Sequence, residues 1–143
     1  MRGVRRLLRG DPLVGDAPTL REVPRRWLAL DLDSVPLPPG LDPRDLAACA
    51  RAVLPLLPAP FRRAAVVAAA TASHGIKPGA RLRLWFWCDR LLTCAECKRW
   101  LAGAPVDAAV FAPAQPIYCA SPLVMGRPDH IPRRVIPGSV VHF

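Results

Sequence analysis

Two aspartates one residue apart, Asp31 and Asp33, close an otherwise apolar run, Trp27-Leu28-Ala29-Leu30-Asp31-Leu32-Asp33. On an extended strand alternate side chains share a face, so both carboxylates project to one side while Leu30 and Leu32 project to the other. Like charges at that spacing repel and cost stability unless a cation joins them. Hard divalent ions such as Mg²⁺ are held by one or two carboxylates together with substrate phosphates. The plainer account is that one aspartate caps the following turn and the other is solvated. Three neighbours in the sequence weigh toward a metal site: His74 in a hairpin loop, Asp107 at the start of a later apolar run, and arginines on the intervening strand.

Arg81, Arg83, Trp85 and Trp87 alternate with Leu82, Leu84 and Phe86. If the charged face is the open one, the arginines border the carboxylates and can hold phosphates, while a tryptophan offers a stacking surface. Burial is the expected state of these tryptophans, and Trp100 is expected in the core. Ser73, His74, Gly75 and Lys77 make a loop able to approach an anion closely, with imidazole and ammonium as donors to a nucleotide triphosphate. A lone histidine in a turn is otherwise simply solvated.

Asp42 can cap a helix with Pro43 in its first turn, and Leu46, Cys49, Ala50, Val53, Leu54 and Leu57 then recur at helical spacing until Pro55 and Pro58 erode it. Ala64 to Thr71 and Arg81 to Trp87 read as a hairpin. Thr93 caps a second helix through about Ala102, stopped by Gly103. A fourth strand is expected near Val106 to Phe111, and a short one at Gln115 to Tyr118. The order predicts an α+β chain of the RNA-recognition or ferredoxin-like βαββαβ type. Its commonest strand order sets strand four beside strand one, bringing Asp107 toward Asp31 and Asp33. Three carboxylates can hold one or two metals for in-line transfer to an attacking 3′-hydroxyl. The same order separates His74 from the pair.

The chain has 143 residues, enough for one domain. Residues 1–24 read as a basic flexible arm, 25–135 as the core, and 136–143 as a tail. A formal charge of +9 and a pI near 10.6 favour polyanionic partners, although a GC-rich genome enriches arginine and alanine too. No apolar run approaches the roughly 20 residues that span a bilayer, and no secretory signal is present. A soluble, cytoplasmic protein with no membrane partner is expected. Five cysteines then fit free thiols, and Cys94 and Cys97 fall within a helix without a second close pair.

In this order and at similar spacings, Asp31-Leu32-Asp33, Ser73-His74-Gly75 and Val106-Asp107 resemble the three signatures of archaeo-eukaryotic primases. The fuller text, including Trp27 to Asp33, Ser73 to Pro78, Arg81 to Trp87, Lys98 to Leu101 and Gln115 to Tyr118, is similar to primase-like proteins of bacterial phages and mobile elements. The resemblance covers roughly residues 20–135. It implies that Asp31, Asp33 and Asp107 ligate catalytic Mg²⁺ or Mn²⁺. It also implies that His74 contacts an incoming nucleoside triphosphate and that a primer is made or extended on single-stranded DNA. Ser73, Lys77 and Arg83 join His74 as the expected nucleotide-binding set. Family members commonly continue into further domains, often a helicase, so a replicative helicase is an expected partner. A chain stopping at Phe143 is then a standalone core, an excised domain or a remnant. The competing class is a noncatalytic single-strand binder using the basic face and the tryptophans, with salt-sensitive, metal-free binding.

Overall fold

The computed structural model describes residues 6–136; Arg2 and Arg5 of the expected arm and residues 137–143 of the expected tail lie outside them. Four strands, β1 (Arg25–Val35), β2 (Val67–Ala70), β3 (Ala80–Leu92) and β4 (Val135–Ile136), form an antiparallel sheet in the order β1-β3-β2-β4. Three helices, α1 (Leu46–Val53), α2 (Ala59–Arg62) and α3 (Cys94–Trp100), complete an α+β fold.

Alternation decides which face is covered. Leu28, Leu30 and Leu32 of β1 and Leu82, Leu84 and Phe86 of β3 are buried in one core with Leu46, Cys49 and Val53 of α1, Phe61 of α2 and Cys97 of α3. Each fully buried leucine contributes about 1.5–3 kcal/mol. Phe61 joins the layers, packing edge-on against Phe86 (centroids 5.0 Å apart) and against Trp100 (4.6 Å). Trp100 is therefore at the margin of the core, partly exposed, rather than inside it.

Helix α1 begins later than its sequence suggests. The Asp42 carboxylate accepts from the Arg44 N–H (2.8 Å) and pairs with the Arg44 guanidinium, closing a turn of its own. Asp45 takes the cap instead, accepting from Ala48 N–H at 2.9 Å. For α3 the cap is as expected and stronger than a lone threonine, because Thr93 and Glu96 form a reciprocal capping box. Hydrogen bonds from Thr93, and then the Arg90 side chain, pull the Glu96 carboxyl down to about 2. Its stabilising bonds are present above the ordinary 4.5 and are lost as pH falls toward 2. Thr93→Ala is expected to cost about 1 kcal/mol in urea-unfolding stability. An unchanged midpoint would show that the box is dispensable.

The expected strand at Val106–Phe111 is not formed. Asp107 caps a 3₁₀ turn, Ala108–Phe111, its Oδ1 accepting from Ala109 N–H at 2.8 Å. Two alanines follow it and Pro105 and Pro113 bracket the segment, which leaves little to sustain a ladder. The turn still reaches β1, through the Asp107 N–H donating to Asp31 O at 2.8 Å. Gln115–Tyr118 is irregular as well, and the fourth strand is instead the two-residue β4, which pairs with β2 on the far edge.

Candidate functional site

Strands β1 and β2 both run antiparallel to β3, so their C-terminal ends lie at the same end of the sheet, one strand apart. Asp31, Arg83 and Ala69 form one row across the three strands. At about 4.8 Å per strand, the row brings the β2 end within about 10 Å of the aspartates. The separation expected between the two ends does not arise, and the common end opens on a cleft of about 650 Å³. Its lining includes Asp31, Asp33, Thr71, Ser73, Arg83, Trp85, Tyr118 and Arg134.

Asp31 and Asp33 share the open face, as strand alternation requires. Arg83 Nη2 donates to Asp31 Oδ2 at 2.5 Å while Nη1 donates to Tyr118 O at 2.8 Å, so one guanidinium neutralises the carboxylate and holds the segment that walls the cleft. Asp31 Oδ1 and Arg83 Nε are buried without hydrogen-bond partners. Arg81 donates to Asp33 Oδ1 at 3.1 Å and to the Ser34 hydroxyl. Both partners are within reach because β1 bulges there: Asp33 and Ser34 together oppose Arg81, between the pairs Leu32–Leu82 and Val35–Ala80. Ser34 takes a left-handed φ of 59°. Gly79 closes the bulge, since a Cβ there would meet Val35 O at 2.8 Å.

The other expected residues divide. Ser73 lines the cleft, while Lys77 is exposed on the same loop away from the lining. His74 is fully buried, and both ring nitrogens are engaged by backbone: Nδ1 accepts from Arg81 N–H (3.1 Å) and Nε2 donates to Pro43 O (2.8 Å). Burial holds this imidazole below its ordinary value, opposed by the Pro43 bond and reinforced by the charge of Arg134. Its place is beneath the loop, pinning the hairpin to the segment before α1. Asp107 reaches the neighbourhood of the pair through its backbone. Among the described residues no cluster of three or more His, Cys, Asp or Glu groups is arranged to hold a metal ion.

Two wall elements escaped sequence reasoning. Tyr118 to Pro122 supplies one side, and Arg134 the other, buried and bound bidentately to Asp129 (2.6 and 2.7 Å) and to Thr71 O (3.0 Å). The Asp129 and Arg134 spacing was the available signal for the second. The cysteines add no evident nucleophile: all five are free, and burial pushes the Cys49 thiol up to about 11. Among the described residues no helix is long and apolar enough to cross a membrane. Comparison with protein-family models, with curated proteins and with solved structures finds no match.

Proposed function

We propose that the chain is a primase or primase-polymerase core, transferring nucleotidyl groups from nucleoside triphosphates to a primer end on single-stranded DNA. The observation that carries this reading is Asp31 Oδ1, a buried carboxylate oxygen without a partner, beside Asp33 at a cleft large enough for a nucleotide. An orphaned carboxylate oxygen with a second carboxylate nearby suits Mg²⁺ or Mn²⁺, which take oxygen ligands and complete their shell with water and phosphate. Asp31 and Asp33 would hold the ion; the Asp107 carboxylate caps its own turn and, among the described residues, forms no three-carboxylate cluster with them, so water and phosphate would complete the shell in place of the third ligand that the resemblance implies. When bound, the ion supplies charge neutralisation for the triphosphate and activation of the attacking hydroxyl.

The chain's own residues orient the substrate. Arg83 is placed to exchange its carboxylate for phosphate oxygens, and Ser73 offers a hydroxyl at the opposite rim. His74 acts through the loop by fixing Ser73, and Lys77 contributes charge from outside the cleft. The β1-β3-β2 order with helices α1 and α2 between β1 and β2 and α3 after β3 supports the ferredoxin-like family resemblance, while the fourth strand pairs with β2 rather than β1. A helicase partner rests on that resemblance alone.

The test is labelled-nucleotide incorporation on single-stranded DNA with Mn²⁺, comparing the parent chain with the variant carrying Asp31→Ala and Asp33→Ala. The parent incorporates and the variant falls to background. Equal incorporation by both would sink the assignment. One feature favours a second reading, a noncatalytic single-strand binder: both aspartates are already ion-paired with arginines. That reading expects no incorporation by the parent chain, with binding intact in EDTA.

A further inference from the structure

The open face continues past the cleft into an aromatic strip that the proposed chemistry does not use. Trp27 and Trp87 sit directly opposite one another on β1 and β3, and Trp27 lies against Trp85 with ring centroids 5.8 Å apart. Of the two β3 rings expected to be buried, Trp85 is half-buried but Trp87 is 75% exposed, and Trp27 beside it is 38% exposed. Exposing so much indole is unfavourable in an isolated chain, which marks the strip as a contact surface.

We propose that Trp27 and Trp87 form a base-stacking platform for single-stranded nucleic acid. The proposal rests on the single-strand part of the preceding reading and not on its metal. Two observations select this occupant. The Arg25 guanidinium lies 4.6 Å from the Trp27 ring centroid with its buried Nε unpartnered, so the apolar surface carries a cation suited to phosphate or base faces. The strip is also continuous with the candidate site, because Trp85 both packs at a tilt against Trp27 and lines the cleft. Trp27 lies four residue steps before Asp31 on β1, about 13 Å of extended strand. A strand stacked on Trp87 and Trp27 therefore leads into the cleft over Trp85. A second copy of this chain is the poorer occupant, since each copy brings a formal charge of +9.

Trp87 suits substitution because it is the most exposed of the three rings. Fluorescence anisotropy of a labelled oligothymidylate is measured at low salt in EDTA for the parent chain, Trp87→Ala and Trp87→Phe, with size-exclusion elution and circular dichroism on each. Stacking predicts about a ten- to hundredfold loss of affinity for Trp87→Ala with most of it restored in Trp87→Phe, all three eluting as the same species. Unchanged affinity in a folded Trp87→Ala overturns the platform, as does a parent chain that does not bind. A shift in elution by Trp87→Ala with unchanged DNA affinity assigns the strip to self-association and overturns it too. Because no metal or nucleotide is present, a chain that binds through Trp87 but incorporates nothing refutes the catalytic reading alone.

Discussion

Replacing His74 by alanine is expected to lower the unfolding free energy by about 3 kcal/mol, on the order of 10 °C in melting temperature, although the residue carries no chemistry of its own. The imidazole fills a fully buried position and satisfies two backbone groups at once, the Arg81 N–H and the Pro43 carbonyl. Truncation leaves both stranded out of water and opens a void, and each loss costs about 1–3 kcal/mol. The effect carries a pH signature. Burial depresses the folded-state value below the ordinary 6.5, so the neutral ring's contribution is complete above about 6.5. It is lost as pH falls from there through the depressed folded value, because protonating Nδ1 turns the acceptor of the Arg81 N–H into a second donor facing it. Urea midpoints at pH 7.5 and 5.5 should therefore fall more steeply for the parent chain than for His74→Ala. Parallel declines would show that another group governs the acid limb.

Arg83→Leu should produce changes of opposite sign. Its guanidinium is the partner of Asp31 and, through Tyr118 O, the anchor of one cleft wall. Removing it leaves a mostly buried carboxylate without a counter-charge, a loss of about 2 kcal/mol after allowance for residual solvent contact. Amide hydrogen exchange around Tyr118 to Pro122 should accelerate. Under the proposed function, Mn²⁺ binding measured by calorimetry should tighten on the order of tenfold, since a competing cation has gone. Nucleotide incorporation should nevertheless fall by at least about tenfold, because the phosphate donor has gone with it. Weaker Mn²⁺ binding in a folded Arg83→Leu would contradict the place given to the ion.

The residues that were legible in the sequence are those governed by local rules. Alternation alone placed Asp31, Asp33, Arg81 and Arg83 on one face and the leucines on the other, and Thr93 with Glu96 announced α3. The hairpin followed from Gly75 and Gly79, both of which adopt positive φ. What escaped depends on distant contacts. Val106, Val110 and Phe111 suggest a short strand, but Asp107 caps its own turn and the segment meets β1 through the Asp107 N–H. Strand β4 is two residues drawn from the far end of the chain, with no periodicity to declare it. His74 is flanked by small polar neighbours that suggest solvent, and its burial comes from Pro43, more than thirty residues away. Trp87 is exposed where burial was expected because an amphipathic strand records which residues share a face, not whether anything covers it.

The bulge at Asp33 and Ser34 separates two kinds of tolerance. A regular ladder would commit each added residue to flip every later side chain, tying the polar rim to the packing beneath it. Here the extra residue is spent outward: Leu32 and Val35 both point to the core while two consecutive polar side chains face the guanidinium of Arg81. The rim can thus vary in charge and reach without disturbing the leucine layer. Natural variation at Ser34 should consequently run among residues that accept its left-handed φ, such as Asn, Asp and Gly, and be narrow at Leu32, Val35 and Gly79, giving the strand a tunable mouth on an inflexible base.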